Sequence, residues 1–472
     1  MLENIVYALP ELFLICGLFC LPIMSFFKAQ PRKIIKTSIL IILASAFMEI
    51  VFYNKSFAPH YLNDNAFNTM INMVVYVGSL VVMFLARRWY LAVGESPFVF
   101  CESLLLTILF GNVMTASTHF AVTLIAYWGM LAVNFMILHH SAAMRENNAM
   151  TGNFALTSLF FGSLMLLIAF VFYFENGHLS YASLSSFFAM NAGSADVSYL
   201  MFAVFLCFAF AVGLAPFCFW RTELLGQAIL PVISYFLLVP FGISLIALTN
   251  LSRTVFAYSS GIAENLFLLF GLLSVLFGAV GSCSGKNVYK LLAYASLFHL
   301  GIMLISLSSQ NIRAVENFML YSVTYLVAMF GVISALYGLK SRGEYLSNLS
   351  DIAGTASKKP YISALIAVYL FYLIGFPPFL GFAGLYAIFF ELVAHNHLYI
   401  LMFLLVNTAI ITYGYMQIIK SLYFEKSKNV FDATERGIYI FMTLNTVFMA
   451  LLSMKPDILI VILKEVSEKI VD

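Results

Sequence analysis

Charged side chains are scarce in this sequence. Asp, Glu, Lys and Arg make up 10% of the 472 residues, whereas 62% of the residues are apolar. These polar residues are too few to cover the surface of a water-soluble globule of this size. A membrane-spanning helix needs about 20 mostly apolar residues, and the sequence contains about fourteen such runs. The composition therefore predicts an all-α integral membrane protein with about 14 transmembrane helices.

The cysteines form no metal-binding or disulfide pattern. They fall within or at the ends of apolar runs, without a CxxC pair or a Cys/His cluster: Cys16, Cys20, Cys101, Cys207, Cys218 and Cys283. The sequence also lacks a Rossmann glycine fingerprint, a P-loop, a pair of haem ligands and a nucleophile triad. We therefore expect no catalytic centre, metal or cofactor on this chain. The small net charge of +2 argues against a nucleic-acid partner.

The basic residues are distributed unevenly along the chain. Eighteen of the 24 Lys and Arg residues fall in or beside alternate loops between the predicted spans. Loops rich in Lys and Arg stay on the cytoplasmic side during membrane insertion. The alternation predicts that both chain termini lie on the outer face. No predicted span carries a Lys or Arg in its middle.

A Gly-x-x-Pro-Phe pattern interrupts the seventh and the twelfth predicted spans. Its defining residues are Gly213 and Pro216 in the first copy, and Gly375, Pro377 and Pro378 in the second. Proline removes a backbone donor and clashes with the preceding turn of a helix. The alternating loops orient the two spans antiparallel, as in transporters built from inverted repeats with discontinuous helices. The alternative is a pair of ordinary proline kinks.

The two breaks predict a division of the chain into four segments. Residues 1–97 would form an N-terminal three-helix segment, and residues 98–250 a first inverted repeat with helices 4–8. Residues 262–424 would form a second inverted repeat with helices 9–13, and residues 425–472 the C-terminal helix and tail. Each repeat would be five helices long and would contain one broken helix.

Three stretches resemble one known family. They are "GLAPFCFWRTELLGQAILPV" at 213–232, "GKNVYKLLAYASLFHLG" at 285–301 and "LIGFPPFLGFAGLYAIF" at 373–389. They are similar to segments of the antiporter-like subunits of respiratory complex I and of Mrp-type cation/proton antiporters. The length and the "LPELF" near the start are most like the subunit N branch, called subunit 2 in mitochondria. The Lys-Leu-Leu-Ala-Tyr string with its downstream His is the most specific of these matches.

The resemblance implies fourteen helices and a relay of buried lysines, a glutamate and histidines that moves protons along the membrane. Carried over by position, the three family lysines fall on Ala211, Phe241 and Leu385. The family glutamate would lie within 129–131, and no Asp or Glu occurs between 103 and 145. The resemblance therefore predicts a proton-channel fold whose principal charges are missing, and weak proton conduction by this chain.

A few ionisable residues remain as candidates for a proton path. His299 keeps its family position and is either a proton carrier or a histidine that hydrogen-bonds a neighbouring helix. Lys290 is either part of the path or a charge anchor at the head groups. Glu391, followed by His395 and His397, is either near an outer proton exit or at a polar helix end.

Three other carboxylates have more ordinary interpretations. Glu49 and Glu102 lie near the ends of their spans, and we expect each to be solvated or paired with a loop. Glu223 follows the seventh span, where a brace with Arg221 or with a neighbouring subunit is the favoured role. None of the three is predicted to carry protons.

The resemblance implies a membrane-arm subunit of a proton-translocating NADH:quinone oxidoreductase, in a bacterial inner membrane or a mitochondrial inner membrane. Its expected partners are other complex I membrane subunits, especially sister antiporter-like subunits, and lipids. NADH, FMN, iron–sulfur clusters and quinone are expected on partner subunits. The alternatives are an Mrp-type monovalent cation/proton antiporter subunit and a purely structural scaffold of the complex.

Overall fold

The computed structural model describes residues 7–52, 55, 58, 60–63, 66–144, 149–191, 194–257, 260–309, 311–427 and 429–468. Within these residues, 12 helical segments are long and apolar enough to cross a membrane, with the interrupted range Leu230–Thr254 counted as one segment. This confirms an all-α membrane protein. The seventh and twelfth predicted spans correspond to shorter helices that end at the breaks. The total of fourteen spans stays a prediction.

The chain forms two compact units, and the first contains residues 1–213, 238–267 and 468–472. Its helices are α1 (Leu9–Phe26), α2 (Pro31–Val51), α3 (Ala66–Val93), α4 (Phe98–Ala116), α5 (Phe120–Met144), α6 (Ala149–Asn176), α7 (Tyr181–Met190), α8 (Ala195–Val212) and, after a segment of the second unit, α11 (Phe241–Thr254). Helix α2 packs against α1, α3 and α4.

The second unit contains residues 214–237 and 268–467. Its elements are α9 (Phe219–Gln227), α10 (Leu230–Leu238), most of α12 (Ser260–Cys283), α13 (Val288–Ser306), α14 (Ile312–Gly338), β1 (Lys340–Ser341), β2 (Glu344–Tyr345), α15 (Thr355–Lys358), α16 (Pro360–Ile374), α17 (Leu380–Ala394), α18 (Leu398–Phe424), α19 (Arg436–Met454) and α20 (Pro456–Glu468). The two strands pair antiparallel, with Lys340 opposite Tyr345. The four-segment division predicted from the sequence stays a prediction.

Both predicted helix breaks are present and share one backbone geometry. Helix α8 ends at Gly213 with φ 78° and ψ 38°, and α16 ends at Gly375 with φ 78° and ψ 42°. This left-handed conformation is open to glycine and costs other residues about 1–2 kcal/mol. Pro216 lies in the loop before α9, and Pro377 and Pro378 lie in the loop before α17. Each of the two helices therefore ends on a left-handed glycine that precedes the proline-containing loop.

A third interruption was not expected from the sequence. Residues 230–250 read as one apolar span, but α10 ends at Leu238 and α11 begins at Phe241. Pro240 lies between them and cannot donate the backbone hydrogen bond that would continue the helix. In the first unit, a Cβ atom added to Gly78 of α3 would lie 2.8 Å from the Leu238 carbonyl oxygen, so α3 passes directly beside this break.

Helices α12 and α13 cross at backbone contact. A Cβ atom added to Gly301 would lie 2.7 Å from the carbonyl oxygen of Gly271, and one added to Gly278 would lie 2.4 Å from the backbone nitrogen of Phe298. Small residues permit such close approach of membrane helices. The crossing therefore fixes the part of α13 that carries His299.

Candidate functional site

His299 lies in the middle of α13 and is 2% exposed. Its Nδ1 atom lies 2.7 Å from the Tyr321 hydroxyl of α14, and its Nε2 atom lies 2.8 Å from the Tyr415 hydroxyl of α18. A neutral imidazole donates from one ring nitrogen and accepts at the other. The two tyrosines therefore hold the ring between one donor and one acceptor.

This arrangement is suited to passing a proton. The accepting nitrogen of His299 can take up a proton, and the opposite nitrogen can then release its own, so that the ring returns to the neutral form. Tyrosine hydroxyls both donate and accept hydrogen bonds. A small cavity beside His299, lined by Thr324 and Gly381 among others, leaves about 10 Å³ for the centre of a water molecule, which is about what one water needs.

Arg221 of α9 is buried in the same unit, with 1% of its surface exposed. Its Nε atom donates to the Ser296 hydroxyl at 3.2 Å, and its Nη2 atom donates to the Phe236 carbonyl at 2.9 Å. From the sequence, Arg221 was expected only as a brace for Glu223 and not as a residue of the proton path. Its position four residues after Phe217, at the end of the first Gly-x-x-Pro-Phe pattern, was the available signal.

Tyr325 connects the arginine with the histidine. Its hydroxyl donates to the Leu237 carbonyl at 3.2 Å and also hydrogen-bonds Ser296. Its ring centre lies 5.2 Å from that of His299. We call Arg221, Ser296, His299, Tyr321, Tyr325 and Tyr415 the central cluster. It is contributed by four helices and is buried throughout.

Lys290 lies at the beginning of α13, three residues after the N-cap Asn287. Its ammonium Nζ is 2.7 Å and 2.8 Å from the two carboxylate oxygens of Glu223. The two side chains are 32% and 40% exposed, so this is an ion pair at the surface of the unit. Glu223 was expected to brace Arg221 or a neighbouring subunit, and the structure pairs it with Lys290.

Glu391 lies near the end of α17 and is buried. Asn311, the N-cap of α14, donates to its Oε1 atom at 2.8 Å, and the His395 Nδ1 atom lies 3.6 Å from the same oxygen. Glu391 and His395 line a cavity that also includes Asn317 and His397 and leaves about 20 Å³ for water centres. Asn317 and Tyr321 are one turn apart on α14, so this cavity and the central cluster share a helix face.

The three proton-path candidates thus have different surroundings. Lys290 is in an exposed ion pair, His299 is in the buried central cluster, and Glu391 lines the cavity at the opposite end of the helices. Lys290 and His299 are nine residues apart on α13, or about 14 Å at the rise of an α-helix. The structure supplies polar side chains along this distance at Ser296 and Arg221.

Two of the positions that lack the family charges are buried. Leu385 is buried in α17, and its Cδ1 atom lies 2.4 Å from a Cβ atom built on Gly375. Ala211 is buried in the last turn of α8. Phe241 begins α11, and its side chain lies outside the described part of the structure.

Glu49 departs from the sequence expectation. It was expected to be solvated or paired with a loop, but it is 8% exposed and accepts a hydrogen bond from the Asn72 side chain of α3 at 2.8 Å. Hydropathy places Glu49 within one turn of a helix end. It does not indicate whether the side chain packs against a neighbouring helix or faces outward. The expectation of a solvated carboxylate was therefore wrong for Glu49, whereas Glu102 is partly exposed.

A family model covers most of these features. The model of the transmembrane region of NADH:quinone oxidoreductase and Mrp antiporter subunits matches residues 122–412, which is more than half of the chain. The chain belongs to this family. The match contains both broken helices, α13 with His299 and the buried Arg221.

Relatives named NADH-quinone oxidoreductase subunit N are similar over long stretches. The protein of Pelagibacter ubique is 23% identical over 99% of this chain and 100% of its own length. The protein of Rhodospirillum rubrum is 25% identical over 78% of this chain and 76% of its own length. The similarity to a subunit N thus extends over the whole chain.

Solved structures share the fold at low sequence identity. A chain of the archaeal membrane-bound sulfane sulfur reductase matches with a TM-score of 0.83 at 17% identity, over 99% of this chain and 98% of that chain. A chain of respiratory complex I from Thermus thermophilus matches at 0.79 and 19% identity, over 96% and 98%. A chain of the Mrp complex from a Dietzia species matches at 0.81 and 12% identity, over 98% and 97%. The fold is that of an antiporter-like membrane subunit.

Proposed function

We propose that the chain is a subunit N-like component of the membrane arm of a proton-translocating NADH:quinone oxidoreductase. The observation that carries the proposal is the combination of likeness to subunit N along the whole chain with a buried Tyr–His–Tyr cluster on α13. Redox chemistry, with NADH, FMN, iron–sulfur clusters and quinone, belongs to partner subunits in this proposal.

His299 is the residual proton carrier of the second unit. Arg221 stays protonated at neutral pH and cannot act as a proton carrier, so its role is to supply a fixed positive charge beside Ser296 and Tyr325. Ala211 and Leu385 are apolar, so the proton route through this chain lacks two of the lysines of the family pattern. Conduction through this chain is therefore low compared with a sister subunit that keeps them.

Exposed apolar helix faces provide the surfaces for partners and lipid. Only 22% of the apolar stretch of α1 and 22% of that of α19 are buried within the chain, whereas the most apolar stretch within Leu230–Thr254 is buried completely. Sister antiporter-like subunits and lipids cover the exposed faces. The loops rich in Lys and Arg face the cytoplasm or the mitochondrial matrix, and both termini face the opposite side.

An Mrp-type cation/proton antiporter subunit is the second candidate, because a chain of an Mrp complex shares the fold over nearly the full length. Exchange of cations for protons requires a buried ionisable group that couples the two ions. The absence of charge at Ala211 and Leu385 counts against that candidate. A purely structural scaffold is the third candidate and differs from the first only in proton movement.

Purification and proton counting distinguish the three candidates. An affinity-tagged chain isolated in mild detergent is expected to bring NADH:quinone oxidoreductase activity with it, and purification with antiporter subunits alone would reject the proposal.

The isolated complex is then reconstituted into liposomes with wild-type chain or with His299→Ala. A small loss of protons moved per NADH supports a weak carrier, no loss supports the scaffold, and a large loss contradicts low conduction.

A further inference from the structure

A polar seam lies along one face of α14, where this helix packs against α16 and α19 in the second unit. The positions that define the face are three or four residues apart, and residues at this spacing share one side of a helix. They are Tyr321, Thr324, Val327, Gly331, Ser334 and Gly338. The face rises about 25 Å over this length, which is most of the thickness of the hydrocarbon core. We call it the α14 seam, and it connects the central cluster with a loop that carries Lys and Arg.

A buried lysine lies at the loop end of the α14 seam. Lys359 precedes α16 and is 9% exposed. Its Nζ atom donates to the Gly338 carbonyl at 3.0 Å and to the Thr434 hydroxyl at 2.6 Å. Burial lowers the pKa of this ammonium group, against an opposing effect of the Asp432 carboxylate. Lys359 therefore releases a proton more readily than an exposed lysine does.

Polar side chains of α16 and α19 continue the seam towards the central cluster. A Cβ atom added to Gly331 would lie 2.5 Å from three ring carbons of Tyr369, so the tyrosine ring packs directly on α14. The Tyr369 hydroxyl lies 2.8 Å from the Thr446 hydroxyl of α19. Asn445, also of α19, donates to the Val327 carbonyl at 3.0 Å. Hydrogen-bonding groups are thus present between the two ends of the seam.

Two buried hydroxyl groups of α16 mark sites for water. Ser363 lies one turn after Lys359, and Tyr372 lies in the last turn before the break at Gly375. They are 0% and 1% exposed, and neither hydroxyl has a hydrogen-bond partner within the described residues. A buried hydroxyl without a partner is costly, and ordered water normally satisfies such groups.

Tyr372 also lines the small cavity beside His299, together with Thr324 and Tyr321 of α14. Ser453 of α19 lies near the Tyr372 hydroxyl, but its own hydroxyl is already engaged with two backbone groups. Hydroxyl oxygens accept hydrogen bonds in addition to donating them. A water in the cavity would therefore have the hydroxyls of Tyr372, Thr324 and Tyr321 as partners, and three is the usual number for a buried water.

We propose that the α14 seam is a hydrated proton route between Lys359 and His299. Hydration of the seam is a property of this chain alone, whereas the use of the route in translocation rests on the proposed function. The route would bring protons to the central cluster from the loop side without any of the positions at which the family charges are missing.

The transfer along the route conserves protons at each end. An N–H bond of the Lys359 ammonium breaks as a water beside Ser363 takes up the proton, and the resulting amine is protonated again from the loop side. At the inner end, the water beside Tyr372 gives a proton to the Tyr321 oxygen. The Tyr321 hydroxyl at the same time passes its own proton to His299 Nδ1, and His299 releases one from the opposite nitrogen.

Hydroxyl-radical footprinting of the full chain in membranes tests the hydration. Radicals formed from bound water modify the side chains that hold the water, including those that bulk solvent does not reach. We expect modification of Tyr372 and none of Tyr127, a buried tyrosine of α5 whose hydroxyl donates to the Cys207 carbonyl at 2.8 Å. Mass spectrometry measures both. Equal protection of the two tyrosines would overturn the hydrated seam.

Proton counting with the isolated complex in liposomes tests the route. Tyr372→Phe removes a hydroxyl without a partner in the described protein, so a purely structural role predicts no loss of proton movement. The route predicts a loss of protons per NADH equal to that in His299→Ala, and no further loss in the double variant, because the two groups act in series. Tyr386→Phe, at an exposed tyrosine of α17, is the matched control. Full proton movement in Tyr372→Phe would overturn the route.

Substitution of Lys359 distinguishes a proton carrier from a charge anchor. Lys359→Arg keeps the positive charge but does not release its proton, so we expect it to lose as much proton movement as Lys359→Met. Normal proton movement in Lys359→Arg would show an anchor and remove Lys359 from the route. The exposed neighbour supplies the control Lys358→Met, which is expected to cause no loss.

The two kinds of measurement separate this inference from the proposed function. Failure of the chain to copurify with the oxidoreductase would reject the proposed function, and footprinting of Tyr372 would still decide whether the seam holds water. Native electrophoresis checks that each variant assembles. A modified Tyr372 together with unchanged proton movement in both Tyr372→Phe and Lys359→Met would leave a hydrated seam that carries no protons, and would overturn the route.

Discussion

The Nε atom of Arg221 lies 3.2 Å from the Ser296 hydroxyl, three residues before His299 on α13. A permanent charge is thereby held next to the one histidine that the helix buries. Because a guanidinium spreads its charge over a plane and presents several donors, it can hold Ser296 and the Phe236 carbonyl at once. A lysine could supply the charge but not both of these bonds.

Substitution of Arg221 separates its charge from its hydrogen bonds. Arg221→Lys keeps the charge and loses one of the two bonds, whereas Arg221→Gln keeps a donor and loses the charge. If the fixed charge is what matters, proton movement per NADH is retained in Arg221→Lys and reduced in Arg221→Gln. The reverse order would show that the hydrogen bonds matter instead. Assembly, checked by native electrophoresis, is expected to survive in both variants.

Removal of either tyrosine hydroxyl beside His299 is expected to destabilise the protein. Tyr321→Phe and Tyr415→Phe each leave a buried ring nitrogen without a partner, at a cost of about 1–3 kcal/mol in the free energy of unfolding. Tyr413→Phe is the matched control, since Tyr413 is exposed two residues earlier on α18. Its effect is expected within about 0.5 kcal/mol. Unfolding in detergent measures all three, and equal effects would contradict the buried cluster.

The second broken helix does not tolerate a side chain at Gly381. A Cβ atom there would lie 2.0 Å from the Tyr372 carbonyl oxygen, so Gly381→Ala forces α17 away from α16 and lowers the thermal midpoint. Gly152 of α6 has no atom within 4 Å of an added Cβ. Gly152→Ala is expected to stabilise the helix by about 0.5–1 kcal/mol. A midpoint that rises in both variants would mean that the break is loosely packed.

The Lys290–Glu223 ion pair is expected to contribute little to stability. Exposed pairs of this kind contribute about 0.2–1 kcal/mol and are screened by salt. A double-mutant cycle with Lys290→Ala and Glu223→Ala measures the coupling directly, and the exposed Lys286 provides the control Lys286→Ala. A coupling free energy well above this range that resists high salt would show that partner subunits bury the pair.

The sequence predicted the features that depend on neighbouring residues. Gly213 and Gly375 revealed the two broken helices, because the combination of glycine with a following proline acts locally on the backbone. The burial of Arg221 and Glu49 could not be predicted in the same way. The acceptors of Arg221 are 15 and 75 residues away in the chain, and the donor to Glu49 is 23 residues away. Only the packing of the helices brings these partners together.

Pro240 shows a different limit. Residues 230–250 have an apolar composition that suits an unbroken span, and a window of average hydropathy does not register one missing backbone donor. The prolines at the other two breaks were noticed because each follows a glycine and precedes a phenylalanine. A single proline within an apolar run therefore indicates a helix interruption even where the run has the length of one span.

The backbone crossing of α12 and α13 has a mechanical consequence. The nearest atoms at Gly278 are the backbone nitrogen and Cα of Phe298, and those at Gly301 are the Gly271 carbonyl oxygen and the Val275 backbone nitrogen, so rigid backbone forms most of this contact. Sliding of α13 along α12 would meet this hard contact at once, so the two helices move as one stiff pair. Any motion that accompanies a change of charge on His299 must therefore be taken up by α14 and α18, the helices that carry its two tyrosine partners.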